Sequence, residues 1–286
     1  MGIRLGPNQY GKAENRVVRI RRDTGTPGRH EIRDLNVTTT LRGDFEDVHV
    51  TGDQAHGLPT DTQKNTAFAY AKLHGVSSPE DYALALATRL RDACTAAVEA
   101  SVHVQELAWD RVPVGPDGHD HTFVRRGTEV RTTEVTVGAT TTVTSGLTDL
   151  VLLKTTGSEY AGFQRDEFTT LEDAHDRILA TSLTATWRHR DAGERDWDAA
   201  YAAVRAVLVE TFASTHSLAM QHSLFEMGRA ALEAHDDLVE VSLTAPNKHH
   251  FLVDLSPFGL DNEGEVYIAA DRPYGLIEAT VVRDDA

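Results

Sequence analysis

The chain has 286 residues, of which 40% are apolar and 25% charged, a length that allows one large domain or two ordinary domains with hydrophobic cores. Its 44 acidic residues outnumber 28 basic ones and give a formal net charge of −16, which argues against general nucleic-acid binding because such binding relies on clustered positive charge. No apolar run approaches the roughly 20 residues of a membrane-spanning helix, and the single cysteine, Cys94, excludes an intrachain disulfide and a multi-thiolate zinc site.

The first half of the chain reads as strands, then two helices, then strands again. Alternating apolar and charged residues predict the first strand, and a Val- and Thr-rich run after a Gly/Pro turn predicts the second. The second helix has an apolar stripe that includes Cys94, which predicts a buried structural thiol. In chain order, these elements are predicted over residues 16–22, 30–41, 62–74, 79–100, 102–109 and 128–137.

The second half repeats this order of elements. Its strands and helices are predicted over residues 140–153, 182–188, 197–212, 223–234, 238–243, 251–255, 265–269 and 277–282. We therefore predict an α+β protein that duplicates an antiparallel-sheet unit with a helix pair, with units at residues 1–138 and 139–286. Because open sheet edges are usually paired or covered, we also expect an oligomer.

Two helix starts carry capping signals, and for Thr60 this structural role is compatible with contacting a polar ligand at the helix start. Thr60-x-x-Gln63 and Ser223-x-x-Glu226 both match the capping box, in which side chains bond the free N–H groups of a helix start. On this interpretation Thr60 is structural, and Gln221 lies in a loop before the helix.

Common catalytic motifs, including the nucleotide-binding glycine loops, HExxH and GxSxG, are absent. His119-Asp-His121 and His249-His250 could bind a metal, but the first pair lies in a turn-rich segment with no obvious third ligand, and surface histidines are usually solvated, so no metal site is predicted. Other polar residues stand near the ends of elements, and each alone favours a structural role such as a solvated charge or a turn former. Only their joint occurrence favours function: Lys12, Arg177, Gln221, Asn247 and His249.

Five segments resemble urate oxidase (uricase), and they follow the order of that family from near residue 8 to near residue 282. They are YGKAENRV, LPTDTQKNT, GFQRDEFTTLEDAHDRILAT, APNKHHF and RPYGLIEATV. The resemblance implies the tunnelling fold, in which two tandem antiparallel-sheet units with helix pairs assemble into a homotetramer around a barrel-lined tunnel. It also implies an oxidoreductase that converts urate, O2 and water to 5-hydroxyisourate and hydrogen peroxide without a metal or other cofactor.

The resemblance places a purine clamp on Arg177 and Gln221, with the backbone N–H of Met220 as a further donor. A rigid guanidinium fork suits a planar anion, and it would let a strongly acidic protein hold one. Tyr160 stands where the family usually has a Phe stacked on the substrate. Stacking should survive, although the extra hydroxyl needs a partner if it is buried.

The resemblance also assigns proton handling to Lys12 and Thr60, with His249 as a relay to the Lys12 amine. A lysine becomes a useful base only where burial or neighbouring charge lowers its pKa. Asn247 and Thr60 would hold O2 and then the attacking water, and Asp61 would order water or the loop. In the family, the Lys/Thr part and the Arg/Gln part of one site come from different subunits.

Three other interpretations stay open on the sequence alone. A zinc-dependent pterin or GTP-processing enzyme could share the fold, but it would need a set of His or Cys ligands that the sequence lacks. A purine-binding sensor or carrier would not need Lys12 or Thr60, and a purely structural oligomer would not need the polar set at all. The chain ends Arg283-Asp-Asp-Ala286 rather than in a Ser-Lys-Leu-like peroxisomal tripeptide, so we expect a cytoplasmic enzyme.

Overall fold

The computed structural model describes residues 2–270 and 272–284 and divides into two compact units. The first unit runs up to Gly146 and includes Arg188–Tyr201, and the second contains Leu147–Trp187 and the chain from Ala202 onward. The boundary predicted after residue 138 stays a prediction. Asp285 and Ala286, on which the expected location partly depends, lie outside the described residues.

The first unit is an antiparallel sheet with helices. In chain order its elements are β1 (Tyr10–Arg21), β2 (Glu31–Gly43), α1 (Glu46–Val50), α2 (Thr60–Leu73), α3 (Pro79–Ala93), β3 (Ala97–Glu106), β4 (Trp109–Arg111), β5 (Phe123–Arg125) and β6 (Val130–Val137). The main strands are ordered β1-β2-β3-β6, and β4 and β5 form a separate hairpin. Strand β1 therefore lies at an edge of the sheet.

The second unit repeats the combination of antiparallel strands and two helices. Its elements are β7 (Thr141–Lys154), β8 (Leu179–His189), α4 (Trp197–Ser214), α5 (Met220–Ala234), β9 (Leu238–Pro246), β10 (His249–Leu252), β11 (Tyr267–Ala270) and β12 (Leu276–Val282). Three of them, β7, β8 and α4, also contribute residues to the first unit. The order β7-β8-β9-β12 places β12 at an edge, and the α+β class predicted from the sequence is confirmed.

The core of the first unit lies between α3 and the sheet. The apolar residues on one face of α3 are almost fully buried, as are alternate residues of the two central strands: Tyr82, Leu86, Leu90, Leu35, Val37, Val102 and Val104. Burial of each large apolar side chain contributes roughly 1.5–3 kcal/mol of hydrophobic stabilisation. This packing holds α2, which carries candidate site residues, because the hydroxyl of Tyr82 in α3 donates to the Ala67 carbonyl of α2 over 2.7 Å.

The predicted helix over residues 79–100 is too long, because α3 ends at Ala93. Cys94 is extended (φ −116°, ψ 102°), and Ala97 already begins β3. This strand pairs with β2 on one side and with β6 on the other, and alternate side chains along it are buried. Sheet pairing on both sides of β3 thus overrides the helical pattern. Cys94 caps the helix instead of lying within it, although its predicted burial is confirmed at 3% exposure.

None of the described helices combines the length and the apolar character needed to cross a bilayer. In the part of the chain that the structure describes, no three His, Cys, Asp or Glu side chains are grouped so that they could hold a metal ion. The rings of His119 and His121 contact each other edge to face, with centroids 4.6 Å apart. The expectation of a reaction without a metal stays a prediction.

Candidate active site

Lys12 lies in β1 at a bulge, where the register with β2 shifts between Lys12 and Asn15. Gly11 permits a close approach of the two strands, since a Cβ atom there would lie 1.8 Å from the carbonyl oxygen of Thr39. Glu14, inside the bulge, has the left-handed φ of 57°. Bulges re-aim side chains, so this one determines where the half-buried Lys12 leaves the sheet.

Thr60 is the first residue of α2, and Pro59 precedes it in an extended conformation. The predicted capping role of Thr60 is wrong, since no described side chain makes a capping bond at this helix start. The Gln63 carboxamide bonds elsewhere, accepting from the Thr39 hydroxyl over 2.8 Å and donating to the Leu58 carbonyl over 3.3 Å. The Thr60 side chain is therefore not used as a helix cap. It stands at a helix start, where free backbone N–H groups suit polar ligands.

Asp61 connects the start of α2 to Lys12 electrostatically. Its exposed carboxylate accepts hydrogen bonds from Lys64 and, over 2.9 Å, from Asn65. Lys64 is the main cause of its lowered pKa, and the charge of Lys12 lowers the pKa further. Helix α2 thus packs against β1, and Lys12 lies within electrostatic reach of Asp61, the neighbour of Thr60, in the first unit.

Tyr160 and Arg177 lie in residues 155–178, the irregular connection between β7 and β8. Tyr160 exchanges two backbone hydrogen bonds of 2.7 and 2.9 Å with Ala174. The backbone N–H of Arg177 donates to the Ser158 carbonyl over 2.7 Å. These bonds fold the connection back on itself and place the two side chains next to each other.

The guanidinium carbon of Arg177 lies 5.2 Å from the ring centroid of Tyr160. Its Nε atom is buried and has no hydrogen-bond partner among the described residues, and burial lowers the pKa of the guanidinium. The neighbouring Asp176 carboxylate instead accepts from the Thr156 hydroxyl over 2.6 Å and the Gly157 N–H over 2.9 Å. An arginine in this state has donors available for a planar anion.

Helix α5 begins at Met220, so the predicted start at Ser223 is wrong, and Gln221 lies in the first helical turn rather than in a loop. The Ser223 hydroxyl bonds the hydroxyl of Ser217 over 2.7 Å. The Ser217 carbonyl accepts from the Glu159 N–H over 2.8 Å, which ties the start of α5 to the connection between β7 and β8. Met220 is buried and Gln221 exposed, and N–H groups in a first helical turn have no acceptor within the helix.

Asn247 and His249 follow β9, which ends at Pro246. Asn247 is buried, and its backbone N–H donates to the Gly275 carbonyl over 2.8 Å. His249 opens β10, and burial is the main cause of its lowered pKa, followed by the positive charge of Arg177. His249 therefore lies within electrostatic reach of the Arg177 guanidinium.

The described contacts give two groups of candidate residues, each within its own unit. The first contains Lys12, Thr60 and Asp61, and the second contains Tyr160, Arg177, Met220, Gln221, Asn247 and His249. Sequence reasoning missed the residues that hold these groups in place, which are Thr39, Ser158, Asp176 and Ser217. The only available signals were the threonine run at residues 38–40 and the acid directly before Arg177.

Comparisons with known proteins give a consistent result. A family model described as Uricase matches residues 8–136 and 143–278. A curated uricase from Arthrobacter globiformis is 50% identical over 281 residues, which cover 98% of this chain and 90% of that protein.

Solved structures extend the similarity to the fold. The crystal structure of uricase from Arthrobacter globiformis matches with a TM-score of 0.94 and 48% identity, over 100% of this chain and 97% of that one. A urate oxidase structure from Bacillus sp. TB-90 matches with a TM-score of 0.81 at 22% identity, over 96% of this chain and 100% of that one, and supports the fold alone. The tunnelling fold expected from the resemblance is confirmed for the single chain, and its assembly into a homotetramer stays a prediction. The chain therefore belongs to the uricase family, the oxidoreductases that act on urate.

Proposed function

We propose that this chain oxidises urate with O2 and water to 5-hydroxyisourate and hydrogen peroxide, without a metal or organic cofactor. Urate gives up two electrons, O2 takes them with two protons to form hydrogen peroxide, and the oxygen of water forms the new C–O bond. An electron-rich urate anion can itself reduce O2, so the protein has to bind, orient and control protons. The observation that carries the proposal is the buried Nε of Arg177, which has no partner among the described residues.

Arg177, Gln221 and the backbone N–H of Met220 form the proposed substrate clamp. The guanidinium supplies parallel donors, and the Gln221 amide supplies a donor and an acceptor. Tyr160 provides the ring face on which the purine stacks. The proposal is supported by the 5.2 Å contact of Arg177 with Tyr160 and by the position of Gln221 in the first turn of α5.

Lys12 and Thr60 form the proposed proton-handling pair, with His249 as the relay. Asn247 and Thr60 hold O2 and then the attacking water above the ring, and Asp61 orders water at the start of α2. The proton-handling part is supported by the packing of α2 against β1 and by the charge of Lys12, which contributes to the lowered pKa of Asp61. The lowered pKa of His249 favours a neutral ring, which can both accept and donate a proton.

We also propose a homotetramer in which each site combines the Lys12 and Thr60 group of one subunit with the Arg177 and Gln221 group of another. Support comes from β1 and β12, which are edge strands of their units, since exposed edges are usually paired or covered. The free, buried thiol of Cys94 fits the reducing cytoplasm that we propose as its location.

The test uses purified protein dialysed against EDTA and supplied with urate in air. We expect the ultraviolet absorbance of urate to fall while peroxide forms in an equal amount. Lys12→Met should lower both signals at least about a hundredfold and leave a small residual, because a general base contributes about 10²–10⁴ in rate. Lys72→Met, which changes an exposed lysine at the end of α2, should leave both signals nearly unchanged. Urate binding without either signal would contradict the oxidase and favour a purine sensor. Activity that is present before dialysis against EDTA and lost after it would contradict the metal-free reaction.

A further inference from the structure

The β1 bulge replaces regular sheet hydrogen bonds with bonds to threonine side chains. The backbone N–H of Lys12 donates to the hydroxyl of Thr39 over 3.3 Å, and the backbone N–H of Glu14 donates to the hydroxyl of Thr38 over 3.1 Å. Both threonines belong to β2. The position of the Lys12 backbone thus depends directly on a side chain of the neighbouring strand.

The Thr39 side chain makes a second hydrogen bond, to α2 in the interior, whereas the bond that Thr38 accepts lies at the exposed surface. The Thr39 hydroxyl donates to the Gln63 Oε1 atom over 2.8 Å, and the Gln63 Nε2 atom donates to the Leu58 carbonyl over 3.3 Å. Thr39 is 1% exposed and Gln63 is fully buried. This hydrogen-bonded chain therefore runs from Lys12 to the residues that begin α2.

We propose that Thr39 and Gln63 are positioning residues that fix Lys12 relative to Thr60. The inference rests on the proposed proton-handling role of Lys12 and Thr60. The Thr39 hydroxyl accepts from Lys12 and donates to Gln63, and the Gln63 amide uses both its acceptor and its donor. The direction of every bond is thereby defined, so a shift of either Lys12 or the start of α2 breaks a bond made by the buried Thr39 or Gln63 side chain.

The first test compares Thr39→Val with Thr38→Val, a matched variant that also removes a hydroxyl from the bulge. Thr39→Val should lower kcat about tenfold, because small misplacements of reacting groups are costly. The KM for urate should stay within about twofold, since the proposed clamp lies elsewhere. Thr38→Val should leave kcat nearly unchanged, and Thr39→Ser, which keeps the hydroxyl, should restore most of the activity. A folded Thr39→Val protein with unchanged kcat would overturn the proposal.

A second test separates positioning from general loss of stability. In a protein that already carries Lys12→Met, adding Thr39→Val should reduce any residual turnover no further, because the residue being positioned is gone. An equal fold-loss in both backgrounds would show that Thr39 acts independently of Lys12 and would overturn the inference. If Lys12→Met alone kept full kcat, the proposed role of Lys12 itself would be wrong, and this result is distinguishable from a failure of the positioning role of Thr39.

Gln63→Met provides the second variant, in case Thr39→Val does not fold. It keeps an unbranched side chain of similar length and removes both hydrogen bonds of the amide. We expect the same pattern as for Thr39→Val, with kcat lowered about tenfold and KM nearly unchanged. Unchanged kcat in folded Gln63→Met would contradict the role of the hydrogen-bonded chain even if Thr39→Val could not be purified.

Discussion

The ring of Tyr160 has two different neighbours in the connection between β7 and β8. Phe163 is stacked on it with ring centroids 5.0 Å apart, and the Arg177 guanidinium lies over the ring at 5.2 Å. Both contacts use the ring and neither requires the hydroxyl. The presence of Tyr, where the sequence resemblance leads one to expect Phe, is therefore compatible with the same stacking function.

We predict that Tyr160→Phe changes the KM for urate by less than twofold, whereas Tyr160→Leu raises the KM. The expected increase is about two- to tenfold, because an aromatic stack contributes about 0.5–1.5 kcal/mol beyond its buried area. Steady-state kinetics with urate checks both variants. A large loss in Tyr160→Phe would mean that the hydroxyl itself contacts the substrate.

His249 should be neutral at pH 7, because burial and the nearby charge of Arg177 both lower its pKa below the ordinary value of 6.5. Without the positive charge of Arg177, the protonated His249 ring is less unfavourable, so Arg177→Gln should raise the pKa of His249. Arg177→Lys keeps the charge and should leave the pKa low. Titration of labelled histidine rings by NMR measures the shift without depending on activity, and identical values in the two variants would contradict the interaction.

Helix α3 begins with a side-chain cap and helix α2 does not, so substitutions at the two helix starts should have different effects on stability and on activity. The Ser78 hydroxyl caps α3 by accepting from the Asp81 N–H over 3.0 Å, whereas no described side chain caps α2. Ser78→Ala should therefore lower the free energy of unfolding by about 1 kcal/mol with little change in kcat. Thr60→Ala should change stability by less than about 0.5 kcal/mol and lower kcat strongly.

Urea unfolding at one fixed protein concentration, together with urate turnover, measures both effects, since the apparent stability of an oligomer depends on concentration. A large loss of stability in Thr60→Ala, with kcat retained, would restore the capping interpretation of Thr60.

Local sequence patterns predicted most elements within a few residues, because apolar periodicity reflects burial against a neighbouring layer. They failed at the starts of α2 and α5, where Gln63 and Ser223 bond partners outside the helix, Thr39 and Ser217. A capping motif reports only what lies within a few residues along the chain. The same limit explains why Thr39 and Asp176 escaped notice, whereas the candidate residues were found through resemblance over nearly the whole chain.

Over the whole molecule, the candidate residues fall into one group in each unit, and the proposed site uses groups from different subunits. Lys12→Met and Arg177→Ala should each be nearly inactive when expressed alone. Co-expressed in equal amounts, they should recover about one quarter of wild-type activity, because one site in four would combine two intact groups.

Differently tagged subunits allow mixed oligomers to be purified and assayed, and each variant co-expressed with itself gives the background. No recovery in verified mixed oligomers would mean that both groups of a site belong to one chain.

Asp176 stands directly beside Arg177 in the chain, yet its carboxylate is held by the Thr156 hydroxyl and the Gly157 N–H. These bonds lower the pKa of Asp176, the hydroxyl most strongly, so the group stays ionised while it is turned to other donors. A protein with 44 acidic residues has many anions of its own that could occupy a guanidinium. In the proposed site, the hydrogen bonds of Asp176 therefore keep the carboxylate next to Arg177 in the chain from occupying the guanidinium that would bind urate.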